Sequence, residues 1–388
     1  MVDYAATRRV SARPRARARE TSLLRNLDWV LLLAVGGLVA YGLWAIDGIT
    51  RSDVTGDPNY YVSRQAVYAA MGVVGMAALT LLEPSFWRRH ARVVYGVTIA
   101  VLVLTPLLGT SVRNTRRWID IGPFRFQPSE FGKLLLVLFL AVFLAERGKR
   151  IAERGTTLTA TGLAILPIVL VFLQPDFGTA IVYAAVLGAV LFVAGTGWGH
   201  LAALVGGAVL AGVFVLWIGP SIGVDILKPY QRARITGFTS PSQDPGGPTY
   251  NLEQSITAVG AGGATGRGVA GATQTNANYL PEHATDFAFA SLSEQRGFLG
   301  ATILLLLYLL VIWRAIKVIT LARDAFSAIA AGGIAFMLLI QIFVNVGMTI
   351  GMAPITGIPL PFVSVGGSSM IANLLAIGVL QSICLRRR

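Results

Sequence analysis

Residues 177–194 read FGTAIVYAAVLGAVLFVA, eighteen consecutive positions without a charge. Wound as a helix, this run is apolar on almost every side, which suits either the interior of a large core or the hydrocarbon of a bilayer. The rest of the chain decides between the two. Of its 388 residues, 54% are hydrophobic and only 13% are charged, against roughly 25% charged in a soluble domain. A soluble fold of this size needs a charged coat that this sequence cannot supply. A bilayer removes the need for one.

A hydrocarbon core of ~30 Å takes about 20 apolar residues in a helix. Outward from Phe177–Ala194, similar runs recur near Trp29–Ile46, Gln65–Leu82, Val93–Thr110, Phe131–Leu144, Leu158–Leu173, Leu201–Ile218, Phe287–Ile312, Phe326–Ile350 and Phe362–Leu385. The shorter ones borrow flanking residues. The expected fold is an all-α polytopic membrane protein of about ten transmembrane helices. Residues 25–388 form the membrane domain, and residues 1–24 form a basic, disordered cytoplasmic tail. The first run is longer than a signal-peptide core and no clean small-x-small site follows it, so it reads as an anchor.

The net charge is +13. Nucleic-acid binding is not expected, because the basic residues sit in short clusters between apolar runs and no soluble basic domain exists to hold a nucleic acid. The tail, Arg88-Arg89 with Arg92, the Arg147–Arg154 stretch, Arg314 with Lys317 and Arg323, and Arg386-Arg387-Arg388 all fall on one side if there are ten helices and both ends are cytoplasmic. With only Cys384, no intrachain disulfide or cysteine metal site can form, and His90, His200 and His283 lack zinc spacing.

The opposite side carries positive charge that topology does not explain. Arg113, Arg116, Arg117 and Arg125 lie in the third loop; Lys228, Arg232, Arg234 and Arg267 lie in the long seventh loop, about residues 219–286. Either they are solvated loop charges or they meet an anionic substrate such as a pyrophosphate. The Gly-rich apolar stretch Ile256–Val269 is expected to pack partly into the membrane surface.

Four motifs carry the chemistry. In the stretch from Arg117 to Lys133, RWIDIGPFRFQPSEFGK, Pro128 and Ser129 suit a helix start, which puts Glu130 and Lys133 on one face. They form either a structural ion pair or a charged lining of an outer cavity. In YLPEHATDF, residues 279–287, Asp286 is either a helix cap or a desolvated general base, with Glu282 one turn earlier. In QPDFGTA, from Gln174 to Ala180, Asp176 reads as a cap. PITGIPLPFVSVGGSS, residues 354–369, has no titratable side chain and reads as a shaped wall stiffened by prolines.

These four motifs, in this order, resemble the SEDS family (shape, elongation, division and sporulation), from the first helix to the last. Tyr230-Gln231-Arg232-Ala233-Arg234, Gln254-Ser255, Thr273-Gln274 and Thr356-Gly357-Ile358 resemble RodA more than FtsW. The resemblance implies ten helices and a peptidoglycan glycosyltransferase that polymerises lipid II in the bacterial cell membrane during elongation, on its extracytoplasmic side. It also implies a class B penicillin-binding protein and the elongation machinery as partners, and help from a divalent cation, Mg²⁺ or Mn²⁺, whose ligands are unassigned. Asp286 takes the place of the family's catalytic aspartate, and substrate contacts are expected from Glu130, Lys133, Arg117, Arg232 and Glu282. The chain departs from the family pattern at Ala284, where a histidine usually precedes Thr-Asp and His283 comes one position early, at Gln295 and at Val365. No general role is therefore expected of a histidine. A lipid II flippase and a non-catalytic scaffold are the competing readings.

Overall fold

The computed structural model describes residues 25–112, 115–122, 124–224, 227, 232 and 248–386. The tail, Arg113, Lys228, Arg234, most of the Tyr230–Arg234 motif and the last two arginines lie outside them. The described residues contain ten helices long and apolar enough to cross a membrane. They are α1 (Trp29–Ile49), α2 (Tyr60–Leu81), α3 (Pro84–Leu108), α4 (Pro128–Arg147), α5 (Arg154–Leu173), α6 (Phe177–Ala194), α7 (Trp198–Val213, running on to Ser221), α9 (Ala288–Leu321), α10 (Ala325–Thr349) and α11 (Gly367–Leu385). A further helix, α8 (Pro248–Ala261), lies in the seventh loop.

The helix starts follow local chemistry. Asp28 accepts the Leu31 amide at 3.0 Å, Asp324 accepts that of Ser327 at 2.9 Å, and Asp176 caps α6 through Thr179; each gives an otherwise orphaned amide a partner. Prolines open α3 and α4, where a missing N–H costs nothing. Boundaries shift by a few residues from the sequence reading. Arg88, Arg89 and Arg92 fall in the first turns of α3, and Arg314 and Lys317 in the last turns of α9, rather than in loops. Such long side chains reach the headgroup level from within a helix.

The interior consists of α4, α10 and α11, while α7 has no buried residue at all. Two parts differ from the helix-only expectation. The third loop folds as an antiparallel sheet of β1 (Thr110–Val112), β2 (Thr115–Ile121) and β3 (Phe124–Phe126), with Asp120 opposite Arg125. The alternation of Ile119, Asp120 and Ile121, and of Phe124, Arg125 and Phe126 across the Gly-Pro turn, is a strand pattern.

The second difference is in the seventh loop, whose Gly-rich stretch packs on protein. Helix α9 breaks at Gly297, whose φ of 66° favours glycine. The freed amides of Phe298 and Leu299 donate to the carbonyls of Gly263 and Ala264 at 2.8 and 3.1 Å, and the Arg267 amide donates to Glu294 O at 2.9 Å. Non-helical backbone within a span needs such protein partners, so the loop docks on the kink.

Candidate active site

The loops after α1, α3, α5, α7 and α10 meet at the bundle end opposite the basic clusters. They enclose a cavity of about 680 Å³. Its wall combines the first turns of α2 (Tyr60, Arg64, Tyr68), the sheet (Arg117, Asp120, Arg125), the turn with Glu282 and Asp286, and the Gly357–Ser369 stretch. Three arginines and three acidic residues therefore line one space.

Asp286 is placed by its backbone. Its carbonyl accepts Asn345 Nδ2 of α10 at 2.9 Å, and the N-cap of α9 is the next residue, Phe287, without a side-chain cap bond. Asp286 itself lines the cavity. Glu282 holds the turn shut: its carbonyl accepts the amides of Thr285 and Phe287, both at 3.1 Å, and its carboxylate accepts the Thr285 hydroxyl at 2.8 Å. The wall braces the turn from behind, since Val365 N donates to Ala284 O at 2.9 Å and Ser364 Oγ to Thr285 O. The proline-rich motif is a shaped wall, as its lack of titratable groups implied.

Arg117 is anchored but remains on the cavity surface. Its guanidinium stacks on Trp118 at 4.3 Å and lies 3.6 Å from the buried Asp176. Asp176 also accepts Gln127 Nε2 at 3.0 Å and Ser129 Oγ at 3.2 Å, so the α6 cap doubles as an anchor for the sheet.

Glu130 and Lys133 depart from the cavity-lining expectation. Both are about 2% exposed, and Lys133 Nζ lies 2.9 Å from each Glu130 carboxylate oxygen and 2.8 Å from Gln341 Oε1 of α10. Neither lines the cavity. The ammonium is fully used inside the bundle, which is the geometry of a structural pair. Arg232 is exposed and is not part of the cavity wall. The sequence reading missed Arg64 because it began the second helix at Gln65. The usable signal was Tyr60, Arg64 and Tyr68 at spacing four, a polar stripe on one helix face. Among the described residues no cluster of three or more His, Cys, Asp or Glu forms a ready-made metal cage.

The sequence matches the family described as cell cycle protein, FtsW/RodA/SpoVE, over residues 25–388. The chain belongs to this family. It is 36% identical over 366 residues to stage V sporulation protein E of Bacillus subtilis, covering 93% of this chain and 96% of that protein. It is 35% identical over 363 residues to peptidoglycan glycosyltransferase MrdB of Escherichia coli K12, covering 94% and 95%. A solved chain from work on the structural coordination of polymerization and crosslinking by a peptidoglycan synthase complex superposes with a TM-score of 0.78 at 31% identity, over 92% of this chain and 97% of that one. Family members thus share this chain's whole membrane domain, cavity end included.

Proposed function

We propose that this multi-pass membrane protein is a peptidoglycan glycosyltransferase that polymerises lipid II into glycan strands during cell elongation. The observation that carries the reading is Asp286, set in the wall of an arginine-lined cavity at one end of the bundle. Membership of a family that includes a named peptidoglycan glycosyltransferase supports it.

In the proposed reaction Asp286 takes the proton of the acceptor sugar's 4-hydroxyl. The oxygen attacks the donor's anomeric carbon, a new C–O bond forms, and the bond to undecaprenyl diphosphate breaks with its electron pair. Direct displacement inverts the anomeric centre. Arg64 and Arg117 face the same space and would offset the charge that develops on the diphosphate. A Mg²⁺ or Mn²⁺ ion fits only as a partner of the substrate: Mg²⁺ usually needs one or two carboxylates plus phosphate oxygens and water, and Glu282 and Asp286 would supply the former. Its chemistry would be neutralisation of the leaving group. The lipid tails would stay in the bilayer beside the helices.

The positive-inside bias supports a cell-membrane location with the cavity on the extracytoplasmic side. A class B penicillin-binding protein is the proposed partner, since crosslinking must follow polymerisation, and the elongation machinery would recruit the pair. A flippase needs a polar path through the bilayer middle. Here the deep Glu130–Lys133–Gln341 group is closed on itself, which favours surface chemistry.

The test is polymerisation of labelled lipid II by the purified protein, with and without its co-expressed penicillin-binding partner and across divalent metals. Glycan ladders from wild type that vanish with Asp286→Ala are expected. Ladders that persist in the variant would remove Asp286 as the base. No ladder under any condition would leave the flippase or scaffold reading.

A further inference from the structure

His283, which the motif comparison left without a role, is buried beside the turn that carries Asp286. Its Nε2 lies 3.0 Å from both carboxylate oxygens of Asp53, in the loop between α1 and α2, and its Nδ1 lies 3.2 Å from Leu280 O. Both neighbours only accept hydrogen bonds, so the ring serves both when each nitrogen carries a proton. The His283 carbonyl in turn accepts Ser291 Oγ, in the first turn of α9, at 3.2 Å.

The place of this pair in the fold gives it a consequence. Asp53 belongs to the loop that leads directly into Tyr60 and Arg64, one wall of the cavity. His283 belongs to the turn that carries Glu282 and Asp286, another wall. Neither Asp53 nor His283 lines the cavity. The remaining ties of the turn that were described above run to α10 and the proline-rich wall, and the wall reaches α2 only indirectly, through Gln65, which donates to Ser364 O at 3.0 Å and accepts the Gly366 amide at 3.1 Å.

We infer that Asp53 and His283 form a latch that sets the spacing between the Asp286 wall and the Arg64 wall, and that both are positioning residues for glycosyl transfer. The latch rests on the glycosyltransferase reading for its reaction, but its mechanical part stands apart from it. Opening the latch removes the turn's direct tie to the loop that leads into α2 and leaves only the indirect path through Ser364 and Gln65, so the 282–287 turn gains freedom relative to the α2 arginine. The base and the diphosphate-binding groups then lose their common register, while the groups that touch substrate remain in place.

The experiment uses the full-length protein in nanodiscs, as wild type, His283→Ala, Asp53→Ala, the double variant, and His283→Gln, whose amide nitrogen still donates to Asp53. Hydrogen–deuterium exchange is read at the amides of Thr285 and Phe287, with α10 as the internal fold control. Steady-state lipid II polymerisation is read in parallel. The alanine variants are expected to speed exchange in the turn while α10 stays protected. They should lower kcat by about 10- to 100-fold, the range a 1 Å misplacement produces, with KM held within about twofold because neither residue touches substrate. The double variant should match the single ones, as two halves of one contact do, and His283→Gln should recover most of the rate. Unchanged exchange in the turn, equal loosening of α10, or losses that multiply in the double variant would each overturn the latch. If wild type gives no polymer while the exchange pattern is as expected, the transferase reading fails and the mechanical tie survives it.

Discussion

Substitution of Lys133 by methionine keeps the length of the side chain and removes its charge. In the wild type the ammonium serves both Glu130 oxygens at 2.9 Å and Gln341 Oε1 at 2.8 Å, with both ionic side chains about 2% exposed. Removing one partner leaves Glu130 as a buried carboxylate with no cation, which costs about 3–5 kcal/mol. With an unfolding entropy of roughly 2.1 cal/mol/K per residue, a chain of this size shifts by about 1.2 °C per kcal/mol, so the melting temperature falls by about 4–6 °C. Removing both charges, as Glu130→Gln with Lys133→Met, restores most of that loss, because no uncompensated charge remains. The assay is thermal unfolding in detergent for the full double-mutant cycle, paired with initial lipid II polymerisation rates at a temperature where every variant is folded. The structural assignment expects a coupling of several kcal/mol in stability and a nearly wild-type rate for the folded double variant. A Lys133→Met protein that melts like wild type yet cannot polymerise would refute it, and would return the pair to the substrate-binding role that the sequence resemblance suggested.

Three further outcomes follow from other contacts. Arg314 clamps the buried Asp28 through Nη2 at 2.6 Å while Gln381 pairs with the Asp28 backbone, so Arg314→Met should cost about 3 kcal/mol by the same unpaired-charge argument, seen as a lower melting temperature. Gly178→Ala would set a methyl 2.5 Å from Thr356 O, so a loss of about 1–3 kcal/mol is expected; Gly188→Ala, with nothing within 4 Å, should be silent in the same melts. Burial pushes the Asp324 carboxyl up, but the Ser327 amide and the Arg88 ion pair outweigh it and hold the group below its ordinary 3.8. Its stabilising contribution is therefore complete above that ordinary value and fades as pH falls through the lower folded value. Asp324→Ala should flatten the acid limb of a stability–pH curve and cost about 1 kcal/mol as a lost cap.

Hydropathy was enough to place every span, because length and the absence of charge are local properties of a sequence. It could not rank the spans by burial, since lipid and protein interior are both apolar solvents: α7 and α11 read alike, yet one has no buried residue and the other is buried along nearly its whole length. At the site, Asp286, Glu282 and Arg117 were legible as charged residues at apolar boundaries. Glu130 and Lys133 carried the same signal and proved to be turned inward, because their partner Gln341 lies 208 positions away. The Asp53–His283 contact spans 230 positions and was invisible for the same reason. The sheet escaped a reading tuned to helices, although its alternation was there in Ile119–Ile121 and Phe124–Phe126.

The exposure of α7 has a consequence for what this part of the chain must encode. Apart from Leu201 and Leu204 against the core, Trp198 against Phe192 and His200 beside Thr157, this helix turns its side chains outward, so its composition is constrained while the order of its other residues is nearly free. Scrambling the apolar positions of Trp198–Val213 other than Trp198, Leu201 and Leu204 would leave bundle assembly intact, whereas a comparable scramble in α11 would destroy it. For anyone fitting a fluorophore or an affinity handle into the membrane domain, α7 is the span that can be rewritten.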